Sequence, residues 1–199
     1  MTQIFDFIQI FFWSVTYLLI VAFSLSDKNN PKIRMPLVAG ALNFACEVSL
    51  LTCGFTAGRF LWMILDVAIL VFNLRYLRCK NAPNMWVYIL CVMAAISVLC
   101  AIAHIPGGDF LCLSTFVVDF VMAAEYVLRV NHIAPEGKIW IALTKLIGDL
   151  FAWLAYLSVS PVIAVIGFLV LLLNGFYLSY CLEELSKQHT KKSKRAMRN

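Results

Sequence analysis

The chain has 199 residues, of which 62% are apolar and only 14% charged, with a net charge of +5. Soluble domains carry roughly 45–50% apolar and about 25% charged residues, so one soluble core of this length has no room for the excess. The balance excludes a water-soluble globule and calls for a second apolar solvent, a lipid bilayer. A transmembrane barrel is excluded by pattern, because its strands alternate lipid-facing and lumen-facing residues over ~10 positions. Here the apolar runs are continuous and about 18–25 residues long, which suits spanning helices.

In chain order the runs predict helices near 4–25, 36–54, 59–77, 85–104, 109–129, 139–157 and 161–184. The first begins almost at Met1, with no basic stretch and no small-residue cleavage site, so it reads as a spanning helix and not as a removed signal peptide. Asp27 to Arg34 is a polar turn containing Pro31, and Pro36 opens the second helix. Gly54 to Gly58 makes a short hairpin, and Arg78 to Asn84 is the next polar turn. Breaks at Pro106-Gly107-Gly108, Pro135-Glu136-Gly137 and Ser160-Pro161 complete the set. The expectation is an all-α membrane protein: a single seven-transmembrane-helix domain over 1–186, followed by a basic tail over 187–199.

Charge gives this bundle an orientation. One side collects Lys28, Lys32, Arg34, Arg75, Arg78, Lys80, Arg129, Lys138 and the tail, which is fourteen of the sixteen basic residues. The other side holds only Arg59, and Lys145 falls within the sixth helix. The positive-inside rule then places the C-terminus in the cytoplasm and the N-terminus outside, in a multi-pass protein of the plasma or endoplasmic reticulum membrane. The tail has no aromatic interleaving, so its expected partners are anionic lipid headgroups and not nucleic acid.

The seven cysteines are scattered without a CxxC pair, and the three histidines never pair at ligand spacing. Neither a disulfide framework nor a metal site is indicated, and no cofactor is expected. The cysteines read as small apolar residues of helix packing.

The informative residues are the polar ones inside the apolar runs, since a charge at mid-membrane costs about 2.5–3.5 kcal/mol on insertion scales. They are Glu47 in the second helix, Asp66 in the third, Asp119 in the fifth, and Lys145 with Asp149 in the sixth, with Asn43 and Asn174 as amides. Asn43 and Glu47 share one helix face, as do Trp62 and Asp66, and Lys145, Asp149 and Trp153 form a stripe. Glu47 lies seven residues from Gly54 and Asp66 seven from Arg59. Both therefore sit roughly 10 Å inside the outer end of their helices. Asp149 and Asp119 fall at roughly 14 Å, so the acids converge on one layer of the outer half. A polar chamber there accounts for them, with Trp62, Trp153 and Tyr177 turned toward it. Lys145 and Asp149 are placed to neutralise each other, and Glu125 and Arg129 to form a structural pair at the end of the fifth helix. Glu47 has no basic residue within one turn, and a carboxyl desolvated without a cation is favoured as the neutral acid, a proton donor.

The run Met35-Pro36-Leu37, then Asn43, then Cys46-Glu47 resembles a signature of the small integral-membrane terpene cyclases of meroterpenoid and indole-diterpene pathways and their bacterial relatives. Trp62 and Asp66 are similar to a Trp-x-x-x-Asp pattern in that family, and length and helix count also fit. The specific part covers 28–70. The resemblance implies proton-initiated cyclisation of a polyprenyl, possibly epoxidised, substrate, with Glu47 as the acid and no metal. The partner it implies is a hydrophobic isoprenoid-type small molecule. It aligns the family's second essential acid, in the last helix, with Asn174, followed by Tyr177, and the tryptophan before its glutamate with Cys46. An Asn cannot act as acid or base, so Asp149, Asp119 or Asp66 would have to substitute. The expected site is thus Glu47, Asp149 and Asp66 as catalytic acids, with Asn43, Trp62, Asp119, Trp153, Asn174 and Tyr177 around the substrate. The competing readings are a small transporter or channel, against which no inverted repeat or Gly/Pro-broken helix is found, and a non-catalytic protein on the same scaffold.

Overall fold

A computed structural model describes residues 2–27, 31–54, 56–80, 82–105 and 110–196, with side chains described outside 2, 57, 82–84, 111 and 188–196. Parts of the expected turns, at 28–30, 55, 81 and 106–109, lie outside the described residues, as does Arg198 of the tail. Among the described residues there are seven α-helices and no strand. They are α1 (Thr2–Ser26), α2 (Leu37–Cys53), α3 (Ala57–Lys80), α4 (Ala82–Ala103), α5 (Phe110–Leu128), α6 (Lys138–Tyr156) and α7 (Pro161–Ala196), with a 3-10 turn at Val130–His132. Five of them, α1, α3, α4, α6 and α7, are long and apolar enough to cross a membrane, consistent with a multi-pass membrane protein. Large apolar side chains such as Phe7, Trp86, Leu90, Leu128 and Phe176 point outward. In lipid that arrangement carries no penalty.

The last helix is longer than its hydropathy predicts. The apolar run ends near 184, but α7 continues to Ala196, a rise of about 54 Å for its 36 residues. No Gly or Pro interrupts the chain after Gly175. The exposed Glu183–Lys187 pair, 2.7 Å apart at i,i+4, carries the helix across the polarity change.

Helix α2 sits at the centre, packed against α3, α4 and α5, while α1 lies on α6 and α3, and α7 closes over α5 and α6. Small residues make this possible. Ala39, Gly40, Ala41, Ala45, Cys46 and Ser49 are all buried on α2, so neighbouring backbones approach closely.

The two ends of the bundle differ. At the basic end, Arg34 is buried in the segment before α2. Its Nη2 donates to Asp27 Oδ2 at 2.7 Å, and its Nη1 donates to the Glu136 carbonyl and, at 3.2 Å, to Glu136 Oε2. The Phe23 ring covers the guanidinium, and the Ala134 amide donates to Ile33 O at 2.9 Å. Arg34 therefore ties the α1–α2 connection to the one before α6. Gly137 lets this clasp close: its φ is +76°, and a Cβ there would fall 2.0 Å from the Phe23 ring. Glu125 does pair with Arg129, at 3.7 Å, but it also accepts from the Ala39 amide at 3.1 Å. It thus caps the N-terminus of α2 from a different helix, where negative charge is favoured.

Arg34→Ala leaves the half-buried Asp27 without its cation and is expected to cost about 2–3 kcal/mol in detergent-micelle unfolding of the full chain. Lys32→Ala, which removes the half-exposed 2.7 Å contact with Glu136, is expected to cost less than about 1 kcal/mol. Glu136 is held below the ordinary glutamate range, chiefly by the hydrogen bond from Lys32. Its small contribution is therefore present above the pKa of a free Glu and is lost as pH falls through the depressed value. Glu136→Gln should flatten the acid limb of the stability curve.

Candidate functional site

At the other end, α1, α2, α3, α5 and α6 part around a cavity of about 570 Å³. Its volume lies within the ~300–1,000 Å³ typical of small-molecule sites. Helical spacing builds each wall. Asp6, Gln9, Trp13 and Tyr17 follow one face of α1, and Asn43, Glu47 and Leu50 one face of α2. Arg59 and Trp62 come from α3, Cys112, Thr115, Phe116 and Asp119 from α5, and Ala152 and Tyr156 from α6. The exposed lining residues are Ile10, Thr56 and Gly58, so the opening faces the α1–α3 side at this end of the bundle. There the Trp62 indole N–H donates to Ser14 Oγ at 2.8 Å and holds α3 against α1.

Glu47 is buried in the α2 wall, and its Oε2 has no hydrogen-bond partner. The nearest cationic influence on it comes from Arg59. Arg59 is fixed by its own bonds, with Nη1 donating to the carbonyls of Leu50 and Gly54, each at 3.1 Å. It thereby satisfies the last turn of α2, where a cation is favoured. Below Glu47, the Asn43 amide donates to Tyr17 OH at 2.7 Å and to both oxygens of Asp66 at 2.8 Å. One NH₂ group thus ties α1, α2 and α3 together. Asp66 is fully buried behind Asn43 and does not line the cavity. Asp119 lines the opposite wall, within electrostatic reach of Glu47, Asp149 and Lys145.

The expected site residues therefore divide. Glu47, Asn43, Trp62 and Asp119 share the cavity, and Asp66 supports it from one layer behind. Asp149 lies in a second buried cluster. It accepts from Lys145 Nζ at 2.7 Å and from Asn174 Nδ2 at 2.5 Å, with its Oδ1 unpartnered. Lys145 stands 4.8 Å from the centroid of the Trp13 ring, and Trp13 also lines the cavity. The placement of Asp149 and Asn174 at the chamber is thus corrected: Lys145 draws the carboxylate into an ion pair along α6. Trp153 is also elsewhere, donating to the Ala164 carbonyl at 2.9 Å and packing on Phe168 to close the α6–α7 hairpin. Tyr177 is buried against Tyr126, ring centroids 5.0 Å apart, on the face of α7 that covers α5.

Sequence reasoning missed the α1 wall. Asp6, Gln9, Trp13 and Tyr17 are spaced three, four and four apart, which is a helical stripe, but Asp6 and Gln9 are close enough to the helix end to read as interfacial. Both Asp6 Oδ1 and Gln9 Oε1 are buried without partners, while Asp6 also meets the Tyr156 hydroxyl. Cys46 lines the cavity as a small residue, its Sγ 3.8 Å from Thr115 Oγ1. Among the described residues, no three His, Cys, Asp or Glu side chains group as metal ligands. No protein family, no curated protein and no solved structure matches the chain.

Asn43→Leu strips both oxygens of buried Asp66 of the donor they share and is expected to destabilise by about 2–3 kcal/mol. Removing both partners in Asn43→Leu/Asp66→Leu should cost at least about 1 kcal/mol less than the sum of the single changes. Additive unfolding energies for the four proteins would argue against the bridge.

Proposed function

We propose that the chain is a membrane-embedded, terpene cyclase-like enzyme that starts the cyclisation of a polyprenyl substrate with a proton from Glu47. The observation that carries this reading is the buried Glu47 oxygen, left without a partner in a cavity whose lining includes the rings of Trp13, Tyr17, Trp62 and Phe116. A carboxyl in such surroundings is favoured as the neutral acid, and aromatic faces stabilise a developing cation. The Glu47 proton passes to an epoxide oxygen or an alkene carbon. With an epoxide, the C–O bonding pair stays on oxygen and leaves a carbocation, which the next alkene attacks to form a C–C bond. The sequence ends when a base removes a proton. Asn174 cannot serve, and in this reading Asp119 on the α5 wall takes that role.

The opening beside Ile10 fits a substrate that partitions into the bilayer and enters sideways. Five long apolar helices, together with α2 and α5, and basic residues gathered at one end support seven spans with the N-terminus outside. The hydrophobic isoprenoid and membrane lipids are the partners in this reading.

Co-expression with a prenyltransferase and an epoxidase should yield a cyclised lipophilic product. Glu47→Gln is expected to lower its yield by about 10²-fold or more. An unchanged product profile would remove Glu47 from the acid role. Reporter fusions should place Met1 outside and Asn199 in the cytoplasm, and the opposite pattern overturns the orientation.

A further inference from the structure

The cavity and the layer behind it hold more acidic than basic side chains. Five carboxyls, from Asp6, Glu47, Asp66, Asp119 and Asp149, meet two cations, Arg59 and Lys145. Neither cation is free for the cavity acids. Lys145 is paired with Asp149, and Arg59 is held on the carbonyls of Leu50 and Gly54. Among the described residues no cation forms an ion pair with Asp6, Glu47 or Asp119. Unpartnered oxygens of Asp6, Gln9 and Glu47 are buried at the walls, and all three belong to groups able to accept a hydrogen bond. Between them stand the aromatic rings of Trp13, Trp62 and Phe116.

We propose that this cavity binds lipophilic organic cations, seating a protonated amine among Asp6, Glu47 and Asp119 and its apolar body against Trp13, Trp62 and Phe116. An ammonium group, arriving protonated or taking the proton of one of these acids, gives them the contacting cation and N–H donor that Arg59 and Lys145 do not, and ring faces attract it further. A metal ion would leave the apolar walls uncovered, an anion would meet the carboxyls, and a neutral chain covers the walls without adding an N–H donor. Such binding shares its cavity with the cyclisation reading but involves no bond-making.

The probe is N,N-dimethyldodecylamine, compared with dodecanol and dodecanoate, on the full chain in an uncharged detergent at fixed micelle concentration. Affinity is read from the ligand-dependent shift in thermal unfolding. The amine is expected to bind at least about tenfold more tightly than the alcohol, as one desolvated ion pair with a cation–π contact allows. Dodecanoate should bind more weakly than either. In Glu47→Gln/Asp119→Asn the amine-to-alcohol ratio should fall to within about threefold. Equal affinity for amine and alcohol in the native chain overturns the proposal, and that comparison needs no variant to fold. A double variant that folds and keeps the native ratio overturns it as well. Absence of turnover on every polyprenyl tested leaves the amine preference standing, whereas turnover without an amine preference removes this proposal alone.

Discussion

Helix α2 has almost no surface to give to a surrounding solvent: from Ala39 to Leu51 none of its residues is exposed. The polar groups it carries are therefore met chiefly by neighbouring helices, and Glu47 Oε2, at the cavity, is left without a partner. Three attachments do this along its length. Glu125 caps its start, the Asn43 amide bridges Tyr17 and Asp66 in its middle, and Arg59 takes the carbonyls of its last turn. Each comes from a different part of the chain, so fixing α2 also fixes α1, α3 and α5 around it. The cavity is what remains where these helices diverge past Asn43.

Desolvation is the larger force at that cavity. A buried ion pair recovers the cost of removing two charges from water only with good geometry and further hydrogen bonds. Lys145 and Asp149 meet this at 2.7 Å, with Asn174 adding a donor. Glu47 has no such partner in contact, and Arg59, the cation nearest to it, turns its Nη1 to backbone carbonyls. Two carboxyls in the same bundle thus take different characters, one neutralised by an adjacent ammonium and the other left as an acid facing open space. Trp13 touches both settings, with Lys145 over its ring and its side chain in the cavity lining.

Hydropathy made the helices legible, because continuous apolar runs and Pro/Gly breaks mark their positions along the chain. The end of α7 was hidden, since hydropathy falls near 184 while helix formation depends on breakers and i,i+4 pairs, and these allow it to continue. Within the site, depth was readable from the helical rise and rotation was not. The rise placed Glu47, Asp66, Asp119 and Asp149 in neighbouring layers. Which way each faced could not be read from apolar periodicity, because lipid-facing and core-facing surfaces are both apolar in a membrane bundle. Glu47, Asn43, Trp62 and Asp119 turn toward one cavity, whereas Asp149 and Asn174 turn toward Lys145 and Trp153 toward α7. The spacing of Asp6, Gln9, Trp13 and Tyr17 was present in the sequence, but their nearness to the chain start masked it.

The Lys145–Asp149 cluster bears on the order in which the chain can be assembled. A helix entering lipid with two ionisable groups near its middle is poorly stable alone, at about 2.5–3.5 kcal/mol for each charge. Its partners are made on either side of it in synthesis. Trp13 and Thr16 of α1 precede it, with Thr16 bonded to Thr144 at 2.8 Å, and Asn174 of α7 follows it. In that order α6 can settle against a surface already made, and its ion pair gains its amide donor only once α7 closes over it.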